Sequence, residues 1–174
     1  MKKLQIALLL LLCVGSLQAQ NSDENVITSL YFIRHAEKNT SNPSEKDPDL
    51  ITEGILRATH WSLVFDHINF DAIYSTNYKR TRNTALPTVE QKNLTLTLYS
   101  PKNFDHLEFL KENKNKTVLI VGHSNTTPFI VNTIIGQDLY KQIEDTNYGN
   151  LYILGDENKK RVSGKNEIRE VSDV

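Results

Sequence analysis

The sequence is poor in cysteine, and Cys13 is its one example. Cys13 lies inside an apolar N-terminal run, so the rest of the chain has no thiol. Disulfides, thiol nucleophiles and cysteine-ligated zinc are therefore excluded there as sources of stability or chemistry. Any catalytic group must come from histidine, carboxylate, hydroxyl or basic side chains.

The sequence also lacks an excess of charge of one sign. Its 174 residues include 20 lysines and arginines and 21 acidic residues, for a formal net charge of −1, and no long basic run occurs. Such a balance gives no reason to expect a nucleic-acid partner. With 39% hydrophobic residues the chain can fill one core, and we predict a single domain over residues 30–174.

Long apolar runs are missing except near the start, at residues 4–14. Two lysines precede this run and the letters SLQAQ follow it, which is the pattern of a secretory signal peptide cleaved after Ala19. The run is shorter than the roughly 20 residues of a membrane span, which favours a cleaved signal over a retained anchor. We predict a signal peptide at residues 1–19, a short lead-in at 20–29, and an exported protein, periplasmic or secreted, without a stable membrane span.

Short β-branched or aromatic runs alternate with longer amphipathic segments along the rest of the chain. The predicted strands are residues 30–33, 72–74, 94–99 and 118–121, and the predicted helices are residues 52–68, 78–91, 104–113 and 126–135. This alternation favours an α/β three-layer sandwich, with a largely parallel central sheet and helices on both faces. The C-terminal letters YGNLYILGDENKKRV predict a strand and a turn, followed by a returning strand at residues 168–171.

Two histidines each follow a predicted strand directly. His35 lies in the stretch YFIRHAEKN and His123 in the stretch TVLIVGHSN. Ligands of open α/β sheets bind outside the carboxyl ends of the strands, so both side chains are expected to face one pocket. A lone histidine at a strand end is often only a hydrogen-bonded polar residue, but two of them beside Arg34 favour a shared site.

The residues around His123 predict the start of a helix at the same pocket. Gly122 permits a tight turn, Ser124 or Asn125 can cap the helix, and Pro128 fits its first turn. Free backbone N–H groups at a helix start attract anions. Asn125 is therefore a candidate anion contact, although a capping role explains it as well.

Four segments resemble signatures of the histidine phosphatase superfamily, also called phosphoglycerate mutase-like. FIRHAEK resembles its Arg-His-Gly/Ala signature, and VGHSN resembles its second histidine motif. In YSTNYKRTRNTA, Ser75, Arg80 and Thr84 have the spacing of the family's strand-to-helix segment. DPDLITEG resembles the loop before the first long helix, with Ile51 where threonine is usual. The resemblance covers residues 30–155. With its short chain and short segment between the two histidine motifs, the protein is similar to the small phosphohistidine phosphatases.

The resemblance implies a role in phosphate chemistry for each matching residue. His35 would attack phosphorus to form a phosphohistidine that water hydrolyses, and His123 would stabilise the transferring group. Arg34 and Arg80 would bind the phosphate oxygens. Arg82 points to another face of the helix and is interpreted as a surface residue. This scheme needs no metal and no cofactor.

The general acid that would protonate the leaving group is the missing part of the scheme. Glu37 is the candidate catalytic carboxylate, because it is near the pocket in sequence. A loop salt bridge with Lys38 or Lys46 explains Glu37 equally well. Glu90 and Glu108 are interpreted as solvent-facing helix residues.

We therefore predict an exported phosphomonoesterase that acts through His35 on a phosphorylated small molecule or cell-envelope component. A catalytically idle phosphate-binding module of the same fold is the alternative, because no acid is identified. A metal-binding protein that uses His35, His123 and Glu37 is disfavoured, because the neighbouring arginines repel a cation. The short chain disfavours a mutase, and specificity is expected to lie in loops 38–51 and 92–116.

Overall fold

The computed structural model describes residues 27–156 and the backbone of residues 167–171. The predicted signal peptide and residues 20–26 of the predicted lead-in lie outside the described residues, so cleavage and export stay predictions. Within the described part of the chain, no helix is long and apolar enough to cross a membrane.

A six-stranded sheet forms the centre of the fold. Its strands are β1 Thr28–Arg34, β2 Ala72–Thr76, β3 Leu96–Tyr99, β4 Thr117–Gly122, β5 Leu151–Asp156 and β6 Glu167–Val171. Their spatial order is β3-β2-β4-β1-β5-β6. Strands β1 to β4 run parallel, β5 runs antiparallel to β1, and β6 runs antiparallel to β5. The predicted, largely parallel sheet is confirmed.

Four helices follow the parallel strands, three of them connecting one parallel strand to the next and the fourth leading from β4 to the antiparallel β5. They are α1 Thr52–Val64, α2 Lys79–Lys92, α3 His106–Glu112 and α4 Thr126–Ile135, and a short 3-10 turn occupies Pro101–Asn103. The predicted first helix was four residues too long, because hydrogen-bonded turns follow Val64. The predicted β3 began two residues too early, because Asn93 ends α2 with a left-handed φ of 51° and Leu94 donates its N–H back to the Val89 carbonyl.

Alternating side chains of the central strands fill two cores, one on each face of the sheet. Leu30 and Phe32 of β1 pack with residues of α3 and α4, whereas Ile33 packs with residues of α1 and α2 such as Trp61 and Val89. The predicted three-layer arrangement is thus confirmed. The lead-in was predicted to extend to residue 29, but Thr28 and Ser29 belong to β1, and their polar side chains hid the start of this strand.

The carboxyl ends of β1, β2 and β4 meet at one edge of the sheet. In the strand register Arg34 lies beside Gly122, and Ser75 lies beside Val121. Val121 is completely buried, so the strands that reach this edge are anchored in the core. His35, Thr76 and His123 are the residues that the three strands deliver there.

Candidate active site

His35 is held in a defined orientation at the end of β1. Its backbone N–H donates to the Gly122 carbonyl at 2.9 Å, and its ring Nδ1 lies 2.7 Å from the Ala36 carbonyl oxygen. A carbonyl only accepts, so Nδ1 carries the proton and Nε2 keeps its lone pair. The pKa of His35 is lowered to about 3, chiefly by burial and also by the neighbouring His123, Arg80 and Arg34, while the hydrogen bond to Ala36 opposes the shift. The imidazole is therefore neutral at physiological pH and is suited to act as a nucleophile.

His123 lies against His35, with ring centroids 5.4 Å apart. Its Nε2 is 2.9 Å from the Thr76 hydroxyl, which in turn is 2.9 Å from the Thr81 hydroxyl. The backbone carbonyls of Thr76 and Tyr78 are both within hydrogen-bond distance of the Thr81 hydroxyl and share its proton. Both threonines are buried. Burial, followed by the charges of Arg80, Lys38 and Arg34, lowers the pKa of His123 to about 4.

The direction of these hydrogen bonds fixes the tautomer of His123. Arg80 approaches the ring Nδ1 with Nη2 at 3.5 Å, and a guanidinium only donates. Nδ1 therefore accepts, and Nε2 carries the proton that it donates to Thr76. Thr76 in turn donates to Thr81, whose proton goes to a carbonyl. Sequence reasoning missed both threonines, because a hydroxyl beside a strand end has no distinctive signal.

Arg34 is buried at 3% exposure and is held by the segment that precedes β5. Its Nη1 donates to the carbonyls of Glu144 and Asn147, each at 2.7 Å. Its guanidinium lies 4.2 Å from the ring centroid of Tyr148. The Arg34 Nε is buried without a hydrogen-bond partner. A buried cation with an unused donor is a suitable binding group for an anion.

Arg80 comes from the first turn of α2 and faces the same cavity. It lies 3.7 Å from Asp47 and 4.4 Å from the ring centroid of Tyr78, and its Nε and Nη1 are buried without hydrogen-bond partners. Burial lowers the pKa of Arg80, and the nearby Asp47 and Tyr78 oppose this shift. Arg82 bonds instead to the exposed Asn77 side chain. The choice of Arg80 over Arg82 as the inward-facing arginine thus agrees with their positions.

Glu37, the predicted catalytic carboxylate, does not line the cavity. Arg57 of α1 holds it, with the arginine Nε 2.8 and 3.0 Å from its two oxygens and Nη2 2.8 Å from Oε1. The salt bridge that the sequence offered as an alternative exists, but its cation is Arg57 rather than Lys38 or Lys46. Because Glu37 is paired with Arg57, it does not join His35 and His123, the other two residues of the disfavoured metal site. The described residues contain no group of three or more potential metal ligands.

Asn125 lies immediately before α4 and lines the cavity. Its side chain makes no capping hydrogen bond, so Asn125 does not cap the helix through its side chain.

Gly122 was expected to permit a tight turn. The structure gives another reason for this glycine, because a Cβ atom there would lie 2.6 Å from the Thr127 hydroxyl and 3.0 Å from that of Tyr99. The close approach of α4 to β4 requires the missing side chain.

These groups surround a cavity of about 820 Å³. That volume is within the range of roughly 300–1,000 Å³ for small-molecule sites. Arg34, His35, Arg80, His123 and Asn125 all line it, so the structure brings together five of the six predicted site residues. The cavity also has lining residues that sequence reasoning did not select, among them Lys38, Lys102, Asp145 and Tyr148.

The residues missed by sequence reasoning come from loops. Asp145 and Tyr148 lie between α4 and β5, and Lys102 lies in the turn after β3. No periodic pattern or motif indicates that these segments fold over the histidines. Lys38 is three residues from His35, but its charge alone did not distinguish it from other loop lysines.

The family model for the histidine phosphatase superfamily (branch 1) matches residues 30–100. No curated protein matches the chain. The fold is similar to that of the putative phosphohistidine phosphatase SixA from Agrobacterium tumefaciens, with 20% identity and a TM-score of 0.57 over 76% of this chain and 96% of the other.

Two further solved structures share the fold. Phosphoserine phosphatase from Entamoeba histolytica, in complex with 3-phosphoglyceric acid, has 18% identity and a TM-score of 0.57 over 72% of this chain and 89% of the other. A mycobacterial glucosyl-3-phosphoglycerate phosphatase complexed with VO3 has 12% identity and a TM-score of 0.63 over 82% of this chain and 97% of the other.

Proposed function

We propose that the chain is a member of the histidine phosphatase superfamily, whose family model matches residues 30–100, and that it is a phosphatase that hydrolyses a phosphate ester through a phosphohistidine on His35. The observation that carries the proposal is the state of His35. Its Nδ1–H is fixed on the Ala36 carbonyl, so a neutral imidazole presents Nε2 to a cavity lined by two arginines. An oriented, neutral nitrogen beside fixed cations is what attack on a phosphate requires.

The first chemical step transfers the phosphoryl group to the enzyme. The Nε2 lone pair of His35 forms a bond to phosphorus while the bond from phosphorus to the ester oxygen breaks, and the leaving group keeps that electron pair. The ring retains its Nδ1 proton on the Ala36 carbonyl, so the phosphorylated imidazole is cationic. In the second step water attacks phosphorus, the N–P bond breaks, and the electron pair returns to Nε2. The proton lost by water passes to phosphate or solvent.

The two arginines stabilise the charge that passes through the transition state. Arg34 is fixed by two carbonyls and Arg80 lies beside His123, so neither needs to reorganise as the equatorial oxygens change position. Preorganised donors of this kind contribute most of the catalysis in phosphoryl transfer. Asn125 and the start of α4 add donors on the same side of the cavity.

The substrate of this proposal is a phosphorylated small molecule or cell-envelope component. Export to the periplasm or the exterior remains part of the proposal, and it rests on the N-terminal sequence pattern. The scheme uses protein groups alone, so we expect activity in the presence of a chelator.

The proposal is tested with the purified full chain, 4-nitrophenyl phosphate and a chelator. This ester has a good leaving group, so its turnover depends little on a general acid. We expect steady hydrolysis by the wild type and a loss of about 10³-fold or more in His35→Ala, because the nucleophile is removed. His60→Ala is the matched control, since His60 lies exposed on α1. Phosphate binding without any turnover would instead establish the idle binding module.

A further inference from the structure

Two lysines line the cavity without an ion-pair partner in the described part of the chain. Lys38 follows β1 three residues after His35, and Lys102 lies in the 3-10 turn after β3. Lys38 is half-buried, and its charge is close enough to His123 to contribute to that ring's lowered pKa. Neither lysine is needed to orient the histidines or the arginines. Their shared cavity therefore has two cationic groups beyond the pair of arginines.

The same cavity has no carboxylic acid that is free to protonate a leaving group. Among the described lining residues Asp145 is the one carboxylate, and its side chain is 92% exposed and 3.9 Å from Arg34. Glu37 is held by Arg57. Asp47 lies beside Arg80 and accepts the backbone N–H of Lys79 at 2.8 Å. Each carboxylate neutralises a cation rather than presenting a proton to the cavity.

His123 does not fill the role of general acid either. One of its ring nitrogens faces the Thr76 hydroxyl and the other faces Arg80. Its donor proton is directed away from the cavity, towards a buried pair of threonines. Among the described residues, neither a carboxylic acid nor a histidine is therefore placed to protonate a leaving group. A general acid typically contributes about 10²–10⁴-fold, so its absence discriminates between leaving groups.

We propose that the substrate is a phosphoanhydride, whose leaving group is itself a phosphate, and that Lys38 and Lys102 bind this leaving phosphate. The proposal rests on the phosphatase function argued above and narrows its substrate class. A phosphate group has a second pKa of about 6, so it departs as an anion without a proton. An alcohol is a far weaker acid than a phosphate, so an alcohol leaving group needs a proton from an acid. The lysines attract the charge that the leaving phosphate gains.

The step balances without an added proton. Nε2 of His35 forms its bond to the terminal phosphorus, the bond from that phosphorus to the bridging oxygen breaks, and the electron pair stays on the bridging oxygen. The shortened phosphate leaves as an anion beside Lys38 and Lys102. Water then releases orthophosphate from His35, with its proton going to phosphate or solvent.

The test compares three substrates with the full chain in a chelator: inorganic tripolyphosphate, glycerol 3-phosphate and 4-nitrophenyl phosphate. We expect kcat/KM for tripolyphosphate to exceed that for glycerol 3-phosphate by about 10²-fold, the usual contribution of the absent acid. In the double variant Lys38→Ala, Lys102→Ala, the ratio of kcat/KM for tripolyphosphate to that for the aryl ester should fall about tenfold. Lys111→Ala, an exposed lysine on α3, is the control and should leave this ratio unchanged.

The aryl ester separates this inference from the function on which it rests. Its hydrolysis together with equal kcat/KM for tripolyphosphate and glycerol 3-phosphate would overturn the anhydride proposal and leave the phosphatase intact. An unchanged substrate ratio in the double variant would overturn the role of the lysines. No turnover of any of the three substrates would refute the phosphatase function and the anhydride proposal together.

Discussion

The paired histidines and the cavity rim, which we define as Lys38, Lys102 and Asp145, are built in different ways. His35 is buried, His123 is half-buried and each ring has a hydrogen-bonded nitrogen, whereas the rim side chains extend from loops and Asp145 is almost fully exposed. The sheet thus fixes the groups proposed for bond making. The loops supply the groups proposed to contact the remainder of the substrate. Changes at the centre should alter rate, and changes at the rim should alter preference.

Among variants that keep the nucleophile, the largest effect is expected from Arg80→Lys. Lysine keeps the charge but loses the planar guanidinium that faces both the cavity and His123, so kcat/KM for 4-nitrophenyl phosphate should fall by about 10²-fold. Arg82→Lys, two residues along the same helix, is the matched control and should retain activity. Equal losses in the two variants would show that the assignment of the inward-facing arginine is wrong.

A second prediction concerns stability against pH. Folded His35 and His123 stay neutral down to pKa values of about 3 and about 4, whereas an unfolded histidine protonates near pH 6.5. The unfolded state binds more protons below that pH, so the stability from each neutral ring is full above pH 6.5 and is lost as the pH falls towards 4.

Urea unfolding at about pH 7 and about pH 5 measures this loss. As the pH falls over that window, protonation of each histidine in the unfolded state should lower the free energy of unfolding by up to about 1 kcal/mol per pH unit. His35→Gln should make the dependence shallower, and His60→Gln, at an exposed position, should not. An equally steep dependence in wild type and His35→Gln would contradict the burial of a neutral His35.

The hydroxyl pair behind His123 should have a smaller effect on catalysis. Thr76→Val keeps the shape but removes the acceptor of the Nε2 proton, so kcat should fall about tenfold with little change in KM. Thr76→Ser restores a hydroxyl and should retain most of the activity. Two results would show that Thr76 has only a structural role. One is an equal loss of kcat in Thr76→Ser, and the other is a smaller amount of folded protein with no change in kcat.

The smallest effect is expected at Asp145. Its exposed carboxylate is 3.9 Å from Arg34, which is already held by two carbonyls. Asp145→Asn should change kcat/KM for glycerol 3-phosphate by less than about threefold. A loss of 10²-fold or more, restricted to this alkyl ester, would identify Asp145 as the general acid and would contradict the reasoning about leaving groups.

The sequence predicts the parts of this molecule that follow short-range periodicity. The strands that carry His35 and His123 are apolar and buried, so their positions and the convergence of their ends could be inferred from pattern and topology alone. Helix α4 was predicted with its observed bounds. The start of β1 was missed, because Thr28 and Ser29 are polar although they pair in the sheet.

The rest of the site depends on contacts between residues distant in sequence. Arg57 is 20 residues from Glu37, and the carbonyls that hold Arg34 are more than 100 residues away from it. Charge and spacing do not reveal such partners. For this reason Glu37 was predicted to be a catalytic acid, and Tyr148 was not predicted to line the cavity. The roles of the six predicted site residues remain predictions for experiment.

The most direct test of the central claim is to locate the phosphate on the enzyme during turnover. The full chain is mixed with 4-nitrophenyl phosphate, quenched rapidly in alkali, which preserves phosphohistidine, and digested for peptide mass spectrometry. The account predicts phosphate on the peptide that contains His35, at Nε2, and none in His35→Ala. Phosphate on His123 instead, or an active His35→Ala enzyme, would contradict the account.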